Sequence, residues 1–555
     1  MTSRDSAAAR HPKGLYVLFF TEMWERFGFY LMVGILLLYL RDTVGHGGRG
    51  MSNAVSAEIV GSYVALVYLT PFIGGLIADR YIGYRRSIIF GGVLMAAGYF
   101  LLGAGGSLAM MFSALGLVIV GNGFFKPNIS TLLGNLYNTE ELKPRKDVAY
   151  NIFYMGVNIG AFICNFVAAY LRNNYGWGHA FAAAGVGMII GLVVFLAGMR
   201  HVKEGDIIKP PQKEDIPFSR IATYVFLPAV VAGVAGWFIP GNLIGSDSND
   251  AFIAACIPIV IFYLSLWARA NPVDKRRIGT LLTMFAVSIL FWNIYNQNAT
   301  ALTIWADNYT HRDMPPSAER VLRTFDLAQT VDTNIKEVPR LDRYFRTTVG
   351  PDGKVVTTQG IDPYFQNLPK DRWPPPGKDL KLISTELYQS VNPFWIVVLT
   401  PVVVAFLGFL RARRREPSTP SKIAIGIIIA GLSSVLMIVA CLSTDIYEDK
   451  VSSAWIVASY GVFTVSELFL SPIGLSLVSK VAPRRITALM MGGWFLVTSI
   501  GGKISGILAG FWDQFTNKSL FFTISAVAAV IAGAALLPLT RRLAVVVDEA
   551  TASKE

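Results

Sequence analysis

Glu22, Glu25 and Arg26 stand at i, i+3 and i+4 within an apolar stretch that runs from about residue 14 to 40. That spacing places all three on one face of a helix. An ionised side chain at the centre of a membrane helix costs about 2.5 to 3.5 kcal/mol on insertion scales, so three together call for an internal cavity and a task. Two carboxylates beside a guanidinium can exchange protons: if a substrate draws Arg26 away, the hold of a neighbouring carboxyl on its proton changes, and protonation becomes coupled to binding. The plainer alternative is an internal salt bridge that staples this helix to its neighbours.

Two more charges lie inside apolar runs. Lys126 belongs to Gly121-Asn122-Gly123-Phe124-Phe125-Lys126-Pro127-Asn128, and Glu467 to Ser466-Glu467-Leu468-Phe469-Leu470-Ser471-Pro472. Each has a proline close by, and interrupted helices in corresponding places of two halves point to a midplane site. A cation and an anion from opposite halves would form a gate, pairing when a cavity closes and parting when substrate or a proton arrives. Loss of either partner would leave an unpaired buried charge, at about 3 to 5 kcal/mol. The alternative for Lys126 is a lysine snorkelling toward the end of its helix. A third pattern runs from Gly74 and Gly75 through Asp79 and Arg80 to Arg85 and Arg86. Small residues let helices approach closely, and Asp79 can meet an arginine or a helix N-terminus, so this pattern reads as a cytoplasmic latch.

The elements that must carry these residues are membrane helices. The 555 residues are 53% hydrophobic and 15% charged, with 51 glycines, greasier and poorer in charge than a soluble domain. Fourteen apolar runs have the length needed to cross the hydrocarbon: about 14–40, 56–79, 87–104, 108–132, 148–171, 178–199, 219–240, 251–268, 279–306, 390–410, 421–443, 453–478, 486–511 and 518–539. The first is too long and too charged for a cleaved signal peptide. The fold class is therefore an all-α polytopic membrane protein.

Alternate loops hold the Lys and Arg, from Arg80, Arg85 and Arg86 through Lys275, Arg276 and Arg277 to Arg541 and Arg542. By the positive-inside rule both termini face the cytoplasm, and the net charge of +12 is topogenic. Basicity spread over short loops does not suggest a nucleic-acid partner. Cys164, Cys256 and Cys441 lie in predicted spans without metal-ligand spacing. No nucleophile and base set, phosphate loop or metal cluster suggests an enzyme, a cofactor or a metal site.

The domain reading is a cytoplasmic N-terminus (1–13), a six-helix bundle (14–199), a Pro- and Lys-containing cytoplasmic linker (200–218), an accessory helix pair (219–268), a second six-helix bundle (279–540) and a cytoplasmic tail (541–555). Six core helices plus six, with two accessory ones, is the major facilitator architecture. Leu69-Thr70-Pro71 recurs as Leu399-Thr400-Pro401 in the second half. The second bundle is interrupted by an extracytoplasmic insert (307–389), which reads as either a functional element or a poorly ordered flap.

Taken together, Glu22, Glu25, Arg26, Phe27 and Tyr30, the latch, Gly123 to Asn128 and the run Phe153 to Ala161 resemble the proton-dependent oligopeptide transporter family. So do Phe291-Trp292, Gln389 to Pro393, Ser466 to Leu475 and Met490 to Leu496. The resemblance implies a bacterial inner-membrane symporter of di- and tripeptides, driven by the proton gradient; the monomer is the expected working unit, though the sequence itself does not set the oligomeric state. On the family pattern, Arg26, Tyr30 and Lys126 would hold the peptide carboxylate, and Asn158, Asn392 and Glu467 its amino terminus and backbone. Tyr68, Trp292, Ser471 and Trp494 would shape side-chain pockets, and Glu22 and Glu25 would be the proton-coupled carboxylates. Many relatives carry an Arg at the place of Val33 and an acid at the place of Asn296, a pair that closes an outer gate. Both charges are missing here, which suits a gate rebuilt from apolar packing or hydrogen bonds. Phe29 stands where a tyrosine is frequent. The rival readings are a carrier of nitrate or another small solute, a drug exporter of the wider superfamily, and a membrane sensor that uses the insert.

Overall fold

A computed structural model describes residues 11–207, 217–314, 316–351, 353–375 and 377–552; the side chains of residues 218, 316–318, 321, 471–473, 475, 484 and 488 lie outside the description. Six long helices come first: α1 (Lys13–Arg41), α2 (Asn53–Ile77), α3 (Tyr84–Ala104), α4 (Leu108–Leu136), α5 (Lys146–Tyr175) and α6 (Trp177–Gly198). A short α7 (Phe218–Ile221) leads into α8 (Leu227–Trp237), followed by α9 (Asp247–Ala268), α10 (Pro272–Asn296), α11 (Ala301–Asn308) and α12 (Pro316–Thr324). The rest are α13 (Val391–Ala412), α14 (Thr419–Leu442), α15 (Ser453–Val481), α16 (Thr487–Gly510), α17 (Lys518–Leu536) and α18 (Thr540–Ala552). Among the described residues, fourteen helical stretches are long and apolar enough to cross a membrane.

Local chemistry sets many helix starts. The Ser107 hydroxyl accepts from the Met110 amide to begin α4, and the Ser418 hydroxyl does the same from Ser421 for α14. Asn271 caps α10, with Pro272 in the first helical position, where a missing N–H costs nothing. The run expected as one span over 279–306 is broken in two: residues 297–299 form a tighter turn, and Thr300 leaves helical geometry at φ −127° and ψ −100°.

The chain forms two compact units, one of residues up to Ile35 with Leu69–Pro211, the other of Leu36–Tyr68 with Gln212 onward. In the first, α3 packs along α4 and α6, and α5 along α6. The α3–α4 contact is backbone to backbone, since a Cβ on Gly121 would lie 2.6 Å from the Gly91 carbonyl oxygen. Pro127 cannot donate to the carbonyl of Gly123 four residues earlier and pushes it outward. That carbonyl faces Gly74 of α2, where any side chain would collide with it.

In the second unit, α14 packs against α15 and α17, α10 against α16, and α13 against α15. The α8–α9 pair is fastened by Tyr263, whose hydroxyl donates to the Leu489 carbonyl at 2.7 Å. The insert is no featureless loop. Strand β1 (Thr310–His311) pairs with β6 (Val451–Ser452), β2 (Ala328–Val331) with β5 (Leu380–Ile383), and β3 (Lys336–Pro339) with β4 (Thr357–Gly360). Val331, Tyr364, Phe365, Leu368 and Leu382 form a small core beneath them. Lys450 is buried beside it, donating to the Asn308 carbonyl and to Asn367 Oδ1, each at 2.7 Å, with its ammonium 4.2 Å from the centre of the Tyr364 ring. Burial and the neighbouring Arg312 hold that ammonium's pKa well below the ordinary lysine value. Between the two readings of the insert, a functional element or a poorly ordered flap, the described residues form a small folded element. Its pairings join residues as far apart as Thr310 and Val451, which local periodicity does not reveal.

Candidate functional site

The first unit holds the ionic trio. Arg26 lies against Glu25 with both nitrogens of its fork: Nη2 donates to Oε1 at 2.6 Å, and Nε pairs with Oε2. On the other side, Glu22 Oε1 is 3.4 Å from Nε, one turn back along α1. From α4, Asn122 offers its Oδ1 to Nη2 at 3.3 Å. All four side chains are buried, and a fork that meets a carboxylate with two parallel bonds fixes geometry as well as charge. The guanidinium lies 4.6 Å from the centre of the Phe29 ring and 6.0 Å from that of Tyr30, and the Lys126 ammonium is 5.9 Å from the Phe29 ring. Two cations therefore lie within reach of one aromatic ring. Among the described residues, Glu22 Oε2 is buried with no hydrogen-bond partner.

Asn158, on α5, is half-buried and donates to the Tyr154 carbonyl of its own helix at 3.0 Å. The latch segment follows α2 as one turn of wider π geometry, Ala78–Ile82, and Gly83 then takes φ 81°, which lets α3 begin at once. Gly75 faces the ring of Pro127. Asp79 and Arg80 are half-buried and Arg86 is exposed. The acid at the start of α3 is Asp206: its Oδ1 accepts from the Tyr84 amide at 2.8 Å, and its Oδ2 accepts from Arg85 Nε at 2.7 Å. A carboxylate at a helix N-terminus satisfies free amides and meets the positive end of the dipole. Asp206 had no signal in the sequence beyond its charge.

The second unit holds the other candidates. Asn392, on α13, donates to Glu467 Oε2 at 2.9 Å and to Thr464 Oγ1 at 3.0 Å, the last two both on α15. Thr464 precedes Glu467 by three residues, on the same helix face, and that spacing was the available clue. Trp292 of α10 lies 6.4 Å from Tyr68 and 5.3 Å from Tyr295, ring centre to ring centre. Its indole Nε1 is buried without a hydrogen-bond partner among the described residues. Trp494 packs on Phe285 and on Gly474, whose lack of a side chain admits the indole. The Ser471 side chain lies outside the described residues. Asn296 is buried and donates back to the Trp292 carbonyl at 2.7 Å.

Residues 85–323 and 380–529 match the POT family. The chain belongs to the POT family. It is 31% identical over 533 residues to the uncharacterized transporter YclF of Bacillus subtilis (strain 168), covering 95% of this chain and 93% of that relative. It is 30% identical over 536 residues to a di-/tripeptide transporter of Lactococcus lactis subsp. lactis (strain IL1403), covering 95% and 94%. A crystal structure of a mutant POT peptide transporter in complex with alafosfalin matches with a TM-score of 0.75 at 29% identity, covering 98% of this chain and 97% of that one. The architecture is accordingly that of POT family transporters, a major facilitator fold in a multi-pass membrane protein.

Proposed function

We propose that this protein is a proton-coupled symporter that imports di- and tripeptides by alternating access across a bacterial inner membrane, with both termini in the cytoplasm and the monomer as the working unit. The observation that carries the reading is the match along 95% of the chain to a di-/tripeptide transporter, together with the buried Glu22, Glu25 and Arg26 cluster where the sequence pattern expects it. The proton gradient serves as the energy source, with no cofactor and no chemical step. Arg26, Tyr30 and Lys126 offer two cations and a phenol for the peptide carboxylate. Asn158, Asn392 and Glu467 offer acceptors for its ammonium and backbone. Tyr68, Trp292, Ser471 and Trp494 bound the side chains, and Glu22 and Glu25 carry the coupling proton. A zwitterion is recognised by opposite charges for its two ends, and a peptide backbone brings polar groups that a buried site must meet.

The test is uptake of labelled dialanine into liposomes. Accumulation under an inward proton gradient is expected, and its absence under every gradient would refute the symport reading and favour a sensor. Peptides of two to four residues run in the same assay report the length limit. The gate role of Lys126 and Glu467 rests on their opposite charge. Lys126→Glu and Glu467→Lys should each stop uptake, and the two together should recover a measurable part of it; no recovery would remove the gate role.

A further inference from the structure

A second group of ionisable and hydroxyl side chains lies within the membrane-spanning helices of the second unit, and neither binding nor proton coupling uses it. Lys503 of α16 is 1% exposed, yet its ammonium donates to Ser62 Oγ of α2 at 2.7 Å and to Ser248 Oγ of α9 at 3.2 Å. The Ser248 hydroxyl in turn donates to Oε1 of Glu58, also on α2. A serine hydroxyl has one proton to give and lone pairs to receive, and here it spends one on the carboxylate and one on the ammonium. It thus bridges opposite charges from two helices while sitting on a third. The third helix is the second member of the accessory pair.

The position of Ser248 is fixed by its surroundings. Asp250 accepts from the amides of Leu243 and Ile244, each at 2.8 Å, and Asn249 donates to the Ile244 carbonyl at 2.9 Å. Ser246 caps the helix. The surfaces that the bridge joins are otherwise made of small residues. Gly61 of α2 meets Gly506 of α16 so closely that a Cβ on either would lie 2.6 Å from the other's Cα. Ser499 donates to the Ala65 carbonyl at 2.7 Å, and a Cβ on Gly502 would lie 2.7 Å from the side chain of Val64. Residues 58, 61, 62 and 65 form one stripe of α2, and 499, 502, 503 and 506 one stripe of α16. Such stripes let the backbones approach closely, so van der Waals packing holds them and interhelical polar bonds add to it.

We propose that Ser248 is a positioning residue through which the accessory helix pair ties Glu58 to Lys503 and so sets how readily α2 parts from α16. The accessory pair is on this view a clamp rather than a passive insertion, and its grip governs turnover more than peptide affinity. The link to turnover rests on the alternating-access reading; the clamp itself does not.

The experiment uses the full chain in proteoliposomes, with Cys164→Ala, Cys256→Ala and Cys441→Ala as background and Val64→Cys as the reporter. Val64 is 3% exposed at the α2–α16 contact, so its labelling rate by N-ethylmaleimide reads how often the contact opens. Ser248→Ala should raise that rate about tenfold, the population change that loss of a hydrogen bond to a charged group brings. Ser248→Thr, which keeps the hydroxyl, should label at the parental rate. Ser265→Ala, which removes a hydroxyl that donates to the Phe262 carbonyl of its own helix, should also leave the rate unchanged. In transport, Ser248→Ala should change kcat with KM held. Parental labelling in Ser248→Ala, or fast labelling in Ser248→Thr, overturns the clamp. If Ser248→Ala does not yield a single folded species, Glu58→Gln serves in its place, with the same rise expected and the same parental rate overturning it. Labelling needs no substrate, so failure of the clamp and failure of the peptide reading are told apart by the dialanine assay.

Discussion

Glu22→Gln should abolish accumulation of dialanine under a proton gradient while leaving counterflow exchange in place. Glutamine keeps the length and planarity of the side chain and can still meet Arg26, but it cannot take up and release a proton. The variant should hold its shape because the main partner of Arg26 is Glu25, bound through both nitrogens of the fork, with Glu22 a longer contact at 3.4 Å. Glu22 Oε2 is also the carboxyl oxygen of the trio that has no hydrogen-bond partner among the described residues, which suits an atom that must be reached by a proton. Net uptake should fall to the level of liposomes without a gradient, and labelled peptide should still exchange across the membrane at a rate comparable to the parent. Driven uptake that persists unchanged would move the coupling role elsewhere. Loss of exchange together with driven uptake would instead make Glu22 part of the binding site.

Much of that site is legible in the chain because charge in an apolar run is costly and therefore rare. Glu22, Glu25 and Arg26 announce themselves by spacing alone, and their mutual contacts follow from helix geometry. Lys126 stands out for the same reason, though its sharing of the Phe29 ring with Arg26 needs the packing of α4 against α1. Neutral polar residues carry no such signal. Asn122 is ordinary in a polar-dotted helix, and only the fold shows that it touches Arg26; Thr464 offers its spacing from Glu467 and nothing more, and the fold shows that it meets Asn392. Asp206 lies far along the chain from the helix it caps, and its neighbours in sequence give no reason to pair it with Arg85. Most membrane spans were readable from hydropathy to within several residues; at 297–300 the run expected as one span turns and restarts, at the polar sequence Asn296-Gln297-Asn298. The insert was the least legible part. Its strands are two to four residues long and pair across large sequence separations, so neither alternation nor turn chemistry could set their register. The clamp residues show the same limit from another side, since Lys503 is visible as a charge but its partners, Ser62 and Ser248, come from helices far earlier in the chain.

Arg26→Ala should stop transport and also weaken the fold, and the two effects can be separated. Removing the guanidinium leaves Glu25 fully buried with its main cation gone, and breaking a buried pair by deleting one partner costs about 3 to 5 kcal/mol. A lower thermal midpoint in detergent is therefore expected along with the loss of uptake. Adding Glu25→Gln removes the stranded charge, so Arg26→Ala with Glu25→Gln should regain most of the lost stability. It should regain none of the transport, because on the proposed reading both the guanidinium for the peptide carboxylate and one of the two coupling carboxylates are then gone. Arg26→Lys belongs between them: an ammonium supplies charge but cannot present two parallel donors to both oxygens of Glu25, so stability should fall less than in Arg26→Ala and peptide binding, read by calorimetry, should weaken. If the double variant stays as unstable as Arg26→Ala, Glu25 is not the charge that Arg26 neutralises. If Arg26→Ala transports dialanine at the parental rate, the trio is a staple for α1 and the substrate is held elsewhere.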